Sequence, residues 1–171
     1  MDEVTRCALA GRDGDPAALS AFVESTQADV WRLCAGLIGS ESADDLTQET
    51  FLRAFHALPS FEARSTIRTW LLGIARRACA DHIRTLTRQR RAYMALEEPP
   101  HHPDPAGGAS GNDLLDRLPA ARRTAFALTQ LLGLSYAEAA DVEDVPIGTI
   151  RSRVARARVD LADAVTMALA S

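Results

Sequence analysis

Lysine is missing from this chain of 171 residues, and all nineteen basic residues are arginine. A GC-rich genome explains that bias as readily as a function does, so it carries no functional weight. Aromatic residues are scarce too, at 5% against 47% hydrophobic residues overall, which limits the size of any single core and favours two small domains over one larger one. Cysteine is limited to Cys7, Cys34 and Cys79. Being odd in number, far apart and set in apolar helical contexts, they suggest neither a disulfide framework nor a zinc cluster, and buried structural thiols are expected. No run of about eighteen apolar residues exists to cross a membrane, and the start, Met1-Asp2-Glu3, carries acid where a secretory signal carries base. A cytoplasmic protein is therefore expected.

The chemistry of catalysis is missing as well. There is no Ser/His/Asp set, no paired-carboxylate pocket and no Gly-rich phosphate loop, so neither an enzyme nor a bound cofactor is expected. His101 and His102 with Asp104 suggest metal at first sight, but they sit in a proline-rich stretch without the rigid spacing metal sites need, and His56 and His82 stand alone. No metal is expected.

The net charge of −4 argues at first against nucleic acid, because phosphate contacts come from cations. The distribution of charge along the chain points the other way. Residues 1–50 hold ten acids and three arginines, residues 51–100 four acids and nine arginines, and residues 101–171 nine acids and seven arginines. Within the last block, Pro146 to Val159 carries Arg151, Arg153, Arg156 and Arg158 and no acid. Arginines at helical spacing repel one another unless an anionic partner is expected.

Periodicity predicts an all-α protein with no alternating strand pattern. Asp15-Pro16 reads as N-cap and first residue of a helix carrying Leu19, Phe22, Val23, Val30, Leu33, Cys34 and Leu37. Ser42, with Asp45 three residues on, is predicted to open a second helix whose inner face is Leu46, Phe51, Phe55 and Leu58, ended by Pro59. Ser65 or Thr66 caps a third, with Trp70, Ile74, Ala78 and Ile83 as its stripe. Gly73, inside that helix, costs about 1 kcal/mol against Ala and so predicts close packing or a bend. Four prolines and three glycines between Pro99 and Asn112 read as a tether. The predicted organisation is a helical domain over 1–86, a flexible linker over 87–112 and a second helical domain over 113–171.

In the second domain, Ser135 caps a short helix, a turn follows, and Pro146 opens a longer helix with Ile150 and Val154 facing inward. This is a helix-turn-helix. Its outward face, Arg151, Ser152, Ala155 and Arg156, lies near the N-terminus of the second helix, where a recognition helix meets base edges.

The run LLGLSYAEAADVEDVPIGTIRSRVARAR resembles region 4 of extracytoplasmic-function sigma factors, the promoter-specificity subunits of bacterial RNA polymerase. Independently, SADDLTQETFLRAF resembles region 2.2, FEARSTIRTWLLGIARRACADHIR resembles regions 2.3 and 2.4, and LLDRLPAARRTAFALTQ resembles region 4.1. The likeness covers most of residues 16–165 in the family's order. It implies a factor that binds core polymerase, recognises −35 and −10 elements and melts DNA. Thr149, Arg151, Ser152, Arg153, Ala155 and Arg156 would then read the −35 element. Phe61, Arg64, Ser65 and Thr66 belong to the loop that captures an unstacked −10 base, with Arg76, Arg77, His82 and Arg84 on the backbone beside it. Asp45, Gln48, Glu49, Leu52 and Arg53 would dock on the clamp helices of the largest polymerase subunit, and the flap region and an anti-sigma factor are further partners the family implies. The competing reading is a one-component helix-turn-helix regulator that binds DNA without polymerase.

The sequence departs from the family at Val142-Glu143-Asp144-Val145, which has two acids where an apolar residue and then Gly are usual. Asp tolerates a left-handed turn, but Glu143 is hard to place. It implies either a less stable domain or a turn that meets a partner. The acidic first helix matches no motif.

Overall fold

The computed structural model describes residues 1–96 and 113–170. Every regular element among them is helical: α1 (Glu3–Arg12), α2 (Pro16–Ile38), α3 (Ser40–Ala57), a 3₁₀ turn (Leu58–Ser60) and α4 (Ile67–Leu96), then α5 (Asp113–Asp116), α6 (Ala120–Phe126), a π turn (Ala127–Leu131), α7 (Tyr136–Glu143) and α8 (Ile147–Leu169). The first four helices form one bundle and the last four form the helix-turn-helix unit.

The caps follow sequence chemistry. Asp15 accepts hydrogen bonds from the amides of Ala17 and Ala18, with Pro16 at the first helical position. Ser135 and Glu138 form a reciprocal capping box on α7. Thr66 caps α4, its hydroxyl accepting from the Thr69 amide at 3.2 Å. The acidic first helix also finds its role here: the Ile67 amide at the start of α4 donates to the Thr5 hydroxyl at 3.0 Å, and Thr5 in turn donates to Asp2. Gly11 lets α1 lie against α2, since a Cβ there would fall 2.9 Å from the Leu19 Cα.

Several expectations are corrected. The second bundle helix begins at Ser40 after Gly39 (φ 103°), so Ser42 lies inside it and forms no cap with Asp45. Glycine stops the preceding helix more decisively than serine starts the next. Phe55 is an edge residue, 38% exposed, although Leu46, Phe51 and Leu58 are buried as expected. On α4 the core stripe is Ile67, Leu71, Leu72, Ile74, Ala75, Ala78 and Cys79, while Trp70 is half-buried and Ile83 is exposed. Leucines on the helix's other flank shift its buried face away from Trp70. Finally, α4 continues through Thr87 to Leu96, so the linker expected to start at Thr87 overlaps its last three turns. That stretch lacks an apolar stripe but contains neither Gly nor Pro, and its arginines and alanines are good helix formers. The rest of the expected tether, and the His101–His102 pair, lie outside the described residues.

Burial sets the energetic scale. Leu71, 1% exposed, lies in the hydrophobic core, so Leu71→Ala should lower stability by about 2–5 kcal/mol. Leu52, 57% exposed on α3, should change it by no more than about 0.5 kcal/mol when replaced by Ala. Urea unfolding of the two variants checks the contrast.

Candidate nucleic-acid interface

The helix-turn-helix is built as its pattern requires. Ile150 and Val154 are fully buried one turn apart, which turns Arg151, Ser152, Ala155 and Arg156 outward, all exposed. Thr149 is half-buried at the edge of this face. Arg153, expected among the base readers, points elsewhere: its guanidinium donates to Glu143 at 2.5 Å. The turn between α7 and α8 places Asp144 in the left-handed region (φ 54°, ψ 52°), and the Val145 amide reaches back to the Ala140 carbonyl. Aspartate thus fills the position where glycine is usual.

The second cluster lies at the start of α4. Ser60, Phe61, Glu62, Arg64, Ser65 and Trp70 line a hollow beside the loop that precedes the helix. Phe61 is buried against Trp70, ring centroids 5.0 Å apart, so it forms the floor and presents no open face for stacking. Arg64 is 86% exposed and pairs with Glu62 at 2.6 Å. Ala63 between them holds a left-handed φ of 54°, a conformation that costs a non-glycine residue about 1–2 kcal/mol. Arg77 and Arg84 are exposed on α4 and His82 is half-buried. Arg76 is engaged in a contact described below.

On α3, Asp45, Gln48 and Leu52 are exposed together. Glu49 and Arg53 are bound into the bundle, because the Arg53 guanidinium bridges Glu49 on its own helix and Asp81 on α4, both at 2.7 Å. Sequence spacing cannot reveal this, since Asp81 lies on a different helix. Beside the exposed residues is a groove between α2 and α3 lined by Gln27, Trp31, Asp44 and Gln48, with the Trp31 indole donating to Asp44 at 2.8 Å. Trp31 escapes the sequence pattern because the apolar periodicity of α2 marks only its buried face, and Asp44 because its partner lies on another helix.

The two helical units are packed against each other, and arginines make the polar seam. Arg76 on α4 donates to the Val142 carbonyl at the end of α7 (3.1 Å), and Arg68 donates to the Leu132 carbonyl (2.8 Å) while held by Asp29 (2.6 Å). From the other side, Arg123 on α6 donates to the Leu37 carbonyl at the end of α2 (3.2 Å). Gly36 faces Leu131 and Ala127 in the apolar part of the seam; at Gly73 a Cβ would stand 3.9 Å from the Val142 carbonyl oxygen, an ordinary contact, so the close packing expected there is not found.

Glu143 finds its place here. Its side chain is 6% exposed, one carboxylate oxygen takes Arg153, and the other has no hydrogen-bond partner among the described residues. Burial pushes its pKa above the ordinary 4.5, against the opposing pull of Arg153 and Arg76. Among the described residues no group of His, Cys, Asp or Glu could hold a metal ion, and no helix is long and apolar enough to cross a membrane.

Comparison with known proteins places both units. A family model described as Sigma-70 region 2 matches residues 22–89, and one described as Sigma-70, region 4 matches residues 112–161. The ECF RNA polymerase sigma factor SigC of Mycobacterium tuberculosis is 52% identical over 164 residues, covering 92% of this chain and 88% of that protein. The ECF RNA polymerase sigma factor SigE of Mycolicibacterium smegmatis is 36% identical over 178 residues, covering 95% and 68%. Among solved structures, the sigma factor RpoE in complex with the anti-sigma factor NepR from Bartonella quintana superposes with a TM-score of 0.73 at 28% identity, covering 86% of this chain and 96% of that one. CnrH in complex with the cytosolic domain of CnrY shares the fold, with a TM-score of 0.75 at 24% identity over 97% and 99% of the two chains.

The raised pKa of Glu143 has a signed consequence. The folded chain holds this proton more tightly than the unfolded chain, so the contribution of Glu143 is most favourable below 4.5 and declines as pH rises through its raised value. Glu143→Gln cannot titrate. The stability of the variant relative to the wild type should therefore climb with pH across that window, whatever constant offset the lost Arg153 pair introduces. Urea midpoints from pH 4 upward measure it, and a relative stability that falls with pH would contradict the assignment.

Proposed function

Since the chain belongs to the extracytoplasmic-function sigma factors of the sigma-70 family, we propose that it acts in the cytoplasm by joining core RNA polymerase and selecting promoters through two separate surfaces, without catalysis of its own. The observation that carries this reading is the occurrence in one chain, in order, of a region 2 match and a region 4 match. A one-component regulator needs only the second. Core polymerase and promoter DNA are its partners, and an anti-sigma factor is a further partner class, as RpoE has in NepR.

We assign the −35 element to the exposed face Arg151, Ser152, Ala155 and Arg156, with Thr149 at its edge. A recognition helix enters the major groove N-terminus first, and these residues occupy its first turns. Arg153 is withdrawn from base reading by Glu143. The −10 element falls to the loop Arg64, Ser65 and Thr66 and the hollow that Arg64 and Ser65 line with Trp70, where an unstacked base would be held beside Trp70, with Arg77 and His82 on the adjoining backbone. Arg76 joins them only once it leaves the Val142 carbonyl, so full engagement of DNA requires the seam to open. Polymerase docking is assigned to Asp45, Gln48 and Leu52, extended by Trp31 and Asp44 across the α2–α3 groove. Glu49 and Arg53 serve to fix α3 against α4. The domain division follows as a bundle ending with α4, a connection over 97–112, and a second unit from Asp113.

Run-off transcription tests the reading. Transcripts should start from a cognate promoter only when the chain is mixed with core polymerase, and binding of the chain alone to a palindromic operator would favour the regulator instead. Arg156→Ala should reduce discrimination at one −35 position by about 1–3 kcal/mol, as loss of a bidentate base contact does, whereas Arg151→Ala should weaken all sequences alike. Competition assays against single-base −35 variants separate the two.

The docking face is tested apart from DNA. Asp45→Lys combined with Leu52→Glu alters two exposed residues, so helical content should stay unchanged while retention by immobilised core polymerase falls at least tenfold. Normal retention would remove α3 from the docking face.

A further inference from the structure

The chain's two buried cysteines face each other across the bundle. Cys34 on α2 and Cys79 on α4 are 0% and 1% exposed, and the Cys79 thiol donates to the Cys34 sulfur across 3.7 Å. A disulfide needs about 2.05 Å, so the sulfurs are in contact and lie about 1.7 Å from bonding distance. Sequence separation suggests three isolated structural thiols. The fold makes two of them a pair.

Access meets the pair at Cys79 and reactivity lies with Cys34. Cys79 forms part of the wall of a cavity of about 700 Å³ between the two units, lined also by Leu37, Ile38, Arg76, Ile83 and Arg123. The sulfur of Cys34 lies directly behind it. The Cys79 thiol first, and then the hydroxyls of Thr47 and Thr50, favour the Cys34 thiolate and, against burial, hold its pKa below the usual thiol range, while Cys79 is pushed up as the proton holder.

The pair also lies beneath the seam. Two and three residues along α2 from Cys34 are Gly36, which faces Leu131, and Leu37, whose carbonyl takes Arg123. One turn back along α4 from Cys79 is Arg76, which holds Val142. Hydrogen bonds of 3.1–3.2 Å tolerate only a few tenths of an ångström before they weaken, and the sulfurs are too closely packed to approach without moving their helices.

We propose that Cys34 and Cys79 are an oxidisable dithiol that closes to an intramolecular disulfide in the presence of hydrogen peroxide, and that closure loosens the seam between the two units. The Cys34 thiolate attacks a peroxide oxygen, giving a sulfenic acid and hydroxide, which takes up a proton to become water. The Cys79 sulfur then attacks the sulfenic sulfur, forming the S–S bond and releasing a second water. Two electrons leave the thiols and reduce one peroxide to two waters. A cellular dithiol reductant reverses the step by exchange.

The test uses the full chain, reduced, freed of reductant and exposed natively to peroxide before acid quenching, alkylation and trypsin digestion. Peptide 33–53, carrying Cys34, should appear linked to peptide 78–84, carrying Cys79, with the mass of their sum less two hydrogens. Cys7 should be alkylated. The link should persist in Cys7→Ser and vanish in Cys34→Ala and Cys79→Ala, and the wild-type mass carries the result even if an alanine variant fails to fold. Full alkylation of Cys34 and Cys79 after peroxide, or a link through Cys7, would overturn the dithiol. In the linked protein, amide hydrogen exchange over residues 136–145 should accelerate at least severalfold, and an unchanged rate would overturn the coupling to the seam.

Discussion

An arginine guanidinium laid on the carbonyl end of a helix is the contact on which the relation between the two units depends. The last carbonyls of a helix lack intrahelical partners and carry its negative dipole end. Arg76 takes Val142 at the end of α7, Arg123 takes Leu37 at the end of α2, and Arg68 takes Leu132 past the π turn. Each such charge-assisted bond contributes about 1.5–3 kcal/mol at most, and each requires partial desolvation of a cation. These bonds fix the register of the seam, and beneath them the apolar core is continuous, since Phe22, Leu33 and Leu71 of the bundle and Leu128 and Ile150 of the second unit are buried in one hydrophobic cluster.

The same seam explains the acidic turn. Glu143 stands where the resemblance leads one to expect an apolar residue, and alone it would be a defect in the helix-turn-helix. Between Arg153 on α8 and Arg76 on α4 it becomes the carboxylate that balances two cations at the junction. Burial still costs it more than the arginines return, as its raised pKa records. Asp144 beside it accepts the left-handed backbone at far lower cost, because a short polar side chain can adopt that region. One departure from pattern is thus local and conformational, the other tertiary and electrostatic.

That difference marks what is legible from sequence. Caps and periodicities are local, and they place α2, α7, α8 and the inward pair Ile150 and Val154 correctly. The end of α4 is set too early by its fading apolar periodicity, because a helix without Gly or Pro continues past the last residue it buries. Contacts between helices distant in sequence leave no local trace, so Arg53, Arg153 and Arg76 look available in sequence when Asp81, Glu143 and the Val142 carbonyl hold them. Phe61 illustrates the same limit, since only its partner Trp70 reveals that it floors the hollow.

A two-surface reader, as proposed, requires that the seam can open. The two promoter elements lie more than one helical turn apart, about 34 Å of duplex, so units locked side by side could not reach both. Under the proposed −10 assignment, the contest for Arg76 is between a neutral carbonyl and a DNA phosphate with a full negative charge. Phosphate contact also releases counterions, a gain the carbonyl cannot match at low salt. The exposed face of α8 needs no such exchange, because Arg151 and Arg156 already point to solvent. In the proposed reading, DNA contact therefore begins at α8 while the seam is intact, and the arginine of α4 is transferred to the duplex only as the units separate on the polymerase.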